Sequence, residues 1–164
     1  MEVHRDKTNL VIGLCDDEPN IHQTIETMLS DYAGEHGIEI RVVHYSLAKQ
    51  LLNSGEKIDF LLLDIDMPEM DGIEAAYKLK DRGEEYKIVM LTAREDRFRD
   101  AFKIGAFRFV SKPVEEKELF GAVDAVREHL VGMSPVTVFR DGVAYTIIQR
   151  DILYVEADRS ATLI

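Results

Sequence analysis

Ile58-Asp59-Phe60-Leu61-Leu62-Leu63-Asp64 is an apolar run that ends on a carboxylate. A strand that is apolar on both faces, rather than at alternate positions, belongs inside a parallel sheet covered by helices on both sides. Two other segments share this form. Leu10-Val11-Ile12-Gly13-Leu14-Cys15 runs into Asp16-Asp17-Glu18, and Ile88-Val89-Met90-Leu91 runs into Thr92. Ile38 to Tyr45 and Phe107 to Ser111 read as two further strands. Between the strands, apolar residues recur at the three- and four-residue steps of a helix. The stripes are Ile21, Ile25, Met28, Leu29 and Tyr32; Leu47, Leu51 and Leu52, with Ser46 as N-cap; Ile73, Ala76, Tyr77 and Leu79 after Gly72; Phe98, Ala101 and Phe102 after Asp96; and Leu119, Ala122, Val123, Val126 and Leu130. Five strands alternating with five helices through right-handed crossovers predict a doubly wound α/β domain over residues 9–132, with a five-stranded parallel sheet. Residues 1–8 are polar and charged and read as disordered or extended.

The register changes after Gly132. Met133-Ser134-Pro135 is a break, Val136 to Arg140 alternates, Asp141-Gly142 is a tight-turn dipeptide, and Val143 to Ile148 alternates again. Ile152 to Glu156 reads as a third short strand. Residues 133–164 therefore look like a linker and the opening of a truncated β domain.

The 164 residues carry 20 Lys and Arg against 31 Asp and Glu, a net charge of −11. A free-standing nucleic-acid binder normally has the opposite sign. An acidic chain more often handles cations, or a phosphate held through a cation. No apolar run reaches the roughly 18 residues of a membrane span, and the N-terminus is not a secretory signal. The single cysteine, Cys15, permits no internal disulfide and reads as a small buried hydrophobe. These features predict a cytoplasmic protein with no membrane partner.

Ligands of open α/β sheets bind beyond the carboxyl ends of the strands. There lie Asp16, Asp17 and Glu18 after the first strand, Asp64 on the third, Thr92 on the fourth and Lys112 on the fifth. Each has a blander reading alone: a helix start favourable to the dipole for the acids, a β-branched strand residue for Thr92, a surface charge for Lys112. Gathered at one edge they read as a site. Crowded carboxylates repel, and a divalent cation relieves the repulsion. Oxygen ligands in a crevice that also admits a phosphate suit Mg²⁺. Asp64 can attack phosphorus to form an acyl phosphate, with the cation and Lys112 neutralising charge and Thr92 donating to a phosphoryl oxygen.

Cys15-Asp16-Asp17-Glu18-Pro19, Leu63-Asp64-Ile65-Asp66-Met67-Pro68-Glu69-Met70-Asp71-Gly72, Leu91-Thr92-Ala93 and Phe109-Val110-Ser111-Lys112-Pro113 resemble, in order, the signature blocks of bacterial response-regulator receiver domains. The resemblance implies a flavodoxin-like (βα)5 fold and a two-component phosphorelay. Asp64 would accept a phosphoryl group from a sensor histidine kinase or a small phosphodonor. Asp17 would ligate Mg²⁺ directly, Asp16 through water, joined by Asp64 and the backbone carbonyl of Asp66. Thr92 and Lys112 would turn to the phosphoryl group, with Phe109 as the aromatic switch and Lys112-Pro113 commonly cis. The fourth helix, fifth strand and fifth helix would form a homodimer face, with Arg97, Arg99 and Lys103 near Glu115, Glu116 and Glu118; Phe120 either joins that face or is exposed. Asp66 and Arg94 would flank the path of hydrolytic water and set acyl-phosphate lifetime. Such a chain is a switch with slow autodephosphorylation, not a turnover enzyme. His22 reads as an exposed helix residue, one that could touch the kinase, rather than a ligand.

The tail resembles the start of a LytTR-type DNA-binding domain, on Phe139-Arg140-Asp141-Gly142 and Asp151-Ile152-Leu153-Tyr154-Val155-Glu156-Ala157. It is not basic, so DNA is a partner expected only of a full-length parent. Two alternatives stand beside the receiver reading. One is a haloacid-dehalogenase-like phosphatase with Asp64 as nucleophile and Asp66 as acid/base, although Met67-Pro68 follows where that family has Gly-Thr. The other is a receiver-type binding module that is never phosphorylated.

Overall fold

A computed structural model describes residues 9–133, 135–140 and 143–148. Strands β1 (Asn9–Cys15), β2 (Glu39–Tyr45), β3 (Phe60–Asp64), β4 (Lys87–Thr92) and β5 (Arg108–Ser111) form one parallel sheet in the order β2-β1-β3-β4-β5. They alternate with helices α1 (Pro19–His36), α2 (Ala48–Leu52), α3 (Gly72–Asp81), α4 (Phe98–Lys103) and α5 (Glu116–Gly132). The predicted doubly wound α/β fold is present. The strand order reverses between β1 and β3, where the crossovers part to opposite sides and leave a crevice at the carboxyl ends.

All five residues of β3 are buried, as its unbroken apolar sequence requires. Its side chains alternate between two layers. Leu61 and Leu63, with Cys15 and Met90, pack on Ala48 and Leu51 of α2, Ile73, Ala76 and Leu79 of α3, and Ala101 of α4. Phe60 and Leu62 face the other way, the side on which α1 buries Ile25, Leu29 and Tyr32 and α5 buries Leu119, Ala122 and Val123. Tyr32 ties these two helices together: its hydroxyl donates to Asp124 at 2.5 Å and Phe120 meets its ring edge-on at 5.1 Å. Phe120 thus packs against α1.

The elements differ from the sequence reading in detail. β3 begins at Phe60 because Asp59 is occupied with Val11, donating its N–H to the Val11 carbonyl at 2.7 Å and accepting the Val11 N–H on its carboxylate at 2.8 Å. Leu47, not Ser46, is the N-cap of α2; the Ser46 N–H donates instead to Gln50 at 2.8 Å. Tyr77 and Phe102, on the expected stripes of α3 and α4, are exposed. No described helix is long and apolar enough to cross a membrane.

The described residues up to Asp124 and those from Ala125 onward form two compact units. In the second, β6 (Pro135–Arg140) and β7 (Val143–Ile148) pair antiparallel with Arg140 opposite Val143, a spacing that agrees with the alternation read there. The turn dipeptide 141–142, the strand expected at Ile152–Glu156 and residues 1–8 lie outside the described residues.

The loop after β3 doubles back on itself. The Ile65 carbonyl accepts from both Met67 N–H (3.2 Å) and Gly72 N–H (2.9 Å), and Met70 N–H donates to Pro68 at 2.8 Å. Glu69 adopts a left-handed conformation, φ 66°, at a cost of about 1 kcal/mol. Gly72 is held so close that a Cβ there would lie 1.9 Å from the Asp64 carbonyl oxygen. Gly72→Ala is therefore expected to destabilise the protein by about 3 kcal/mol in urea denaturation. Gly34→Ala, late in α1 with open space around it, is expected to stabilise by about 0.5 kcal/mol. Equal effects at the two sites would refute the steric account.

Candidate functional site

Because β1, β3, β4 and β5 run parallel, their carboxyl ends share one edge. Backbone hydrogen bonds lock the exits together: Asp16 N–H to Tyr45 O (3.1 Å), Ile65 N–H to Leu91 O (3.2 Å) and Lys112 N–H to Thr92 O (2.9 Å). Among the described residues, the buried polar or charged side chains are Asp16, Asp64 and Thr92. All three stand at this edge.

Lys112 is the counter-charge. Its Nζ lies 2.8 Å from Asp16 Oδ2, 3.2 Å from Asp64 Oδ1 and 3.2 Å from Glu18 Oε1. The Lys112-Pro113 peptide is cis. Asp16 Oδ1 accepts the Glu18 N–H at 2.9 Å. Asp16 Oδ2 is different: it touches Lys112, yet no donor is aligned on it, so this buried oxygen has charge compensation without a directed hydrogen bond. Asp16, Asp17 and Asp64 each bring a carboxylate oxygen within 4.8 Å of the others. Three carboxylates gathered around a single ammonium, with Asp17 open to solvent, fit a hard divalent cation.

The electrostatics follow from burial. Removal from water raises the Asp64 carboxyl; Lys112 opposes this, Asp16 adds to it, and the result is about 6. For Lys112, burial works against the charge, but the Asp16 and Asp64 carboxylates more than reverse it and hold the ammonium well above its ordinary range. Beneath them, burial and then Asp16, Asp64 and Asp17 push the Cys15 thiol up to about 12. It stays protonated, with Sγ 3.6 Å from Met67 Sδ, in the packing role expected of it.

The Thr92 hydroxyl accepts the Arg94 N–H at 2.8 Å. The Arg94 guanidinium forms a two-pronged pair with Asp96 (3.0 and 2.6 Å) and reaches within 4.0 Å of Asp66 Oδ1. Asp66 and Arg94 thus face each other. The Phe109 ring is half-buried, 5.0 Å from that of Phe102, which is 67% exposed.

Other expectations need correction. Within the chain, Arg97 pairs with Asp71 (3.1 Å), the N-cap of α3, and with Asp100 of α4 (3.7 Å), and Lys103 pairs with Asp100 (3.3 Å). Glu118 turns back to accept from Ser111 N–H and Oγ at 2.9 and 3.3 Å. Glu116 and Phe120 line a groove with Ser30, Asp31, Gly34 and Glu35 of α1. Nor is His22 a freely exposed helix residue: it is half-buried, with Nε2 2.7 Å from the Asp16 carbonyl oxygen and Nδ1 2.8 Å from His44 Nδ1. Neither His22 nor Glu18 as a Lys112 partner was among the expected site residues. Glu18 meets Lys112 across 94 positions and His22 meets His44 across 22, so no spacing announces these contacts.

Residues 12–124 match the response regulator receiver domain family. Response regulator protein TmoT of Ectopseudomonas mendocina is 30% identical over 124 residues, 73% of this chain and 54% of the relative. The positive alginate biosynthesis regulatory protein of Pseudomonas aeruginosa is 29% identical over 125 residues, 76% of this chain and 50% of the relative. This chain thus spans about half the length of these curated relatives. Among solved structures, the signal receiver domain of an HD domain-containing protein from Pseudomonas fluorescens Pf-5 aligns with a TM-score of 0.68 at 22% identity, covering 79% of this chain and 94% of that one. Response regulator DrrB of Thermotoga maritima aligns at 0.64 and 24%, covering 74% and 54%. These two share the fold. With the sequence match running from β1 into α5, the chain belongs to the response regulator receiver domain family.

Proposed function

We propose that this receiver is a phosphorylation switch in which Asp64 takes a phosphoryl group from a sensor histidine kinase or a small phosphodonor, with Mg²⁺ at the acidic cluster. The observation that carries the reading is Lys112 Nζ between two buried carboxylates, with Asp17 completing a three-carboxylate cluster open to solvent. Asp17, Asp64 and the Asp66 backbone carbonyl would hold the cation, and Asp16 through water. Bound there, Mg²⁺ supplies neutralisation of the phosphoryl oxygens. An Asp64 carboxylate oxygen attacks phosphorus, the P–N bond of the donor breaks, and the nitrogen leaves with the electron pair and takes a proton. Lys112, already beside Asp64 Oδ1, pairs with the new phosphoryl oxygens. Thr92 exchanges its contact with the Arg94 N–H for donation to a phosphoryl oxygen.

Phe109 then turns inward, away from Phe102. This changes the α4–β5–α5 face, on which a homodimer forms. The protein works in the cytoplasm as a slowly self-dephosphorylating switch, not a turnover enzyme. The hairpin β6–β7 supports a LytTR-type DNA-binding domain in a full-length parent that regulates transcription. The phosphatase alternative asks Asp66 to act beside Asp64, whereas the Asp66 carboxylate faces Arg94 and Asp16 and Asp17 join Asp64. A receiver that only binds has no need of this complete acidic set.

Incubation with phosphoramidate and Mg²⁺ is expected to add a single phosphoryl group by intact-mass spectrometry, lost in Asp64→Asn and in chelator. An unmodified wild type sinks the mechanism. Replacing Asp66 with Asn and Arg94 with Ala together should change the dephosphorylation rate several-fold. Because both side chains are exposed, stability should shift by no more than about 0.5 kcal/mol; an unchanged rate counts against their role.

Stability should also depend on pH through Asp64. Its carboxyl is raised from 3.8 to about 6 on folding, so the folded state favours the protonated form. That contribution is present below the unfolded value and is lost as pH rises through about 6. In chelator, the stability of Asp64→Asn relative to wild type should therefore rise by roughly 2 kcal/mol from about pH 4 to about pH 7. A flat difference in urea denaturation would refute it.

A further inference from the structure

We infer that His22 is a positioning residue that orients the Asp16–Asp17 peptide for cation binding, with its own ring fixed by His44. The inference rests on the reading of Asp16 and Asp17 as cation ligands.

The distances dictate the protons. His22 Nε2 lies 2.7 Å from the Asp16 carbonyl oxygen. A carbonyl only accepts, so Nε2 carries the hydrogen and donates to Asp16. His22 Nδ1 lies 2.8 Å from His44 Nδ1. One hydrogen is shared between these two nitrogens, and it ties the His22 ring to His44. The remaining His44 nitrogen, Nε2, is 3.7 Å from Glu26 Oε2, one helical turn beyond His22. A chain results: His44 holds the His22 ring, and His22 donates to the Asp16 carbonyl.

The end of the chain is what matters. Asp16 receives restraints from three sides: its N–H donates to Tyr45 O, its Oδ1 accepts from Glu18 N–H, and its carbonyl accepts from His22. That carbonyl belongs to the same peptide plane as the Asp17 nitrogen and Cα, so fixing it fixes the Asp17 N–Cα bond, the base from which the Asp17 side chain is aimed. Asp17 is exposed, and no side-chain hydrogen bond among the described residues holds its carboxylate. Its position in the cluster therefore depends on the backbone. Outer groups that orient ligands are worth about 10- to 100-fold in metal affinity.

The test is Mg²⁺ titration of the full chain by calorimetry, alongside amide NMR shifts of Asp16 and Asp17 and urea denaturation in chelator. The proteins are wild type, Asp17→Asn, His22→Leu, His22→Gln and His44→Leu. Gln can place an amide N–H near the former Nε2. The expected result is binding by wild type, its loss in Asp17→Asn, about 10-fold weaker binding in His22→Leu, an intermediate loss in His44→Leu, and near wild-type affinity in His22→Gln. If wild type binds, Asp17→Asn does not, and His22→Leu matches wild type, the positioning role is overturned while the cation site stands. If Gln fails as Leu does, with or without loss of stability, the donor to Asp16 is not the cause and the inference falls. If wild type shows no binding, or Asp17→Asn binds equally, the cation site itself is wrong and the positioning role goes with it.

Discussion

Two carboxylates with almost no exposure to water share one ammonium. Removing a carboxylate from water costs several kcal/mol even after relaxation, and an ion pair recovers this only when every partner is well placed. Here the placement is incomplete: Asp16, Asp17 and Asp64 carry more negative charge than Lys112 can balance, and one Asp16 oxygen has no aligned donor. The rest of the domain makes this arrangement tolerable. Fully apolar strands bury a large core behind the site, and parallel pairing brings β1, β3 and β5 to the same edge although their residues are far apart in sequence. The local cost is borne by global packing, and the residual negative field is what makes the edge receptive to a cation.

The fold and the acidic cluster were legible for the same reason. A strand buried on both faces must be apolar throughout, and a charge at its end then stands out. That logic located β1, β3 and β4, and with them Asp16, Asp64 and Thr92. It fails where the outcome depends on a neighbour. The helical stripe of α4 shows Ala101 and Phe102 alike, but only Ala101 meets the core; Phe102 lies beside Phe109 of the edge strand, where the sheet has ended. Within the chain, Arg97 and Lys103 of the α4 region meet Asp71 and Asp100, partners that charge pattern alone does not single out. At α2 the boundary falls one residue later than the pattern suggests, at Leu47, with no side-chain cap. His22 and His44 meet only because β2 is the sheet neighbour of β1.

The Thr92 side of the site is built more lightly than the Asp64 side. After β4 come one 3-10 turn (Glu95–Arg97) and the six-residue α4, tied outward largely by ion pairs of exposed or half-exposed groups. Such pairs contribute about 0–1 kcal/mol each. The β3–α3 connection, in contrast, is packed and hydrogen-bonded through Ile65 and capped by Asp71, whose Oδ1 accepts the Glu74 N–H at 2.8 Å.

That contrast gives the domain a mechanical polarity. Because Gly72 rests against the carbonyl of Asp64 with no room for a single methyl group, Asp64 and the first turn of α3 behave as one solid abutment. A push on Asp64 cannot be absorbed there by slack. Room to yield lies on the other side, at Thr92 and the short helix beyond it, where ion pairs rather than packed backbone hold the chain.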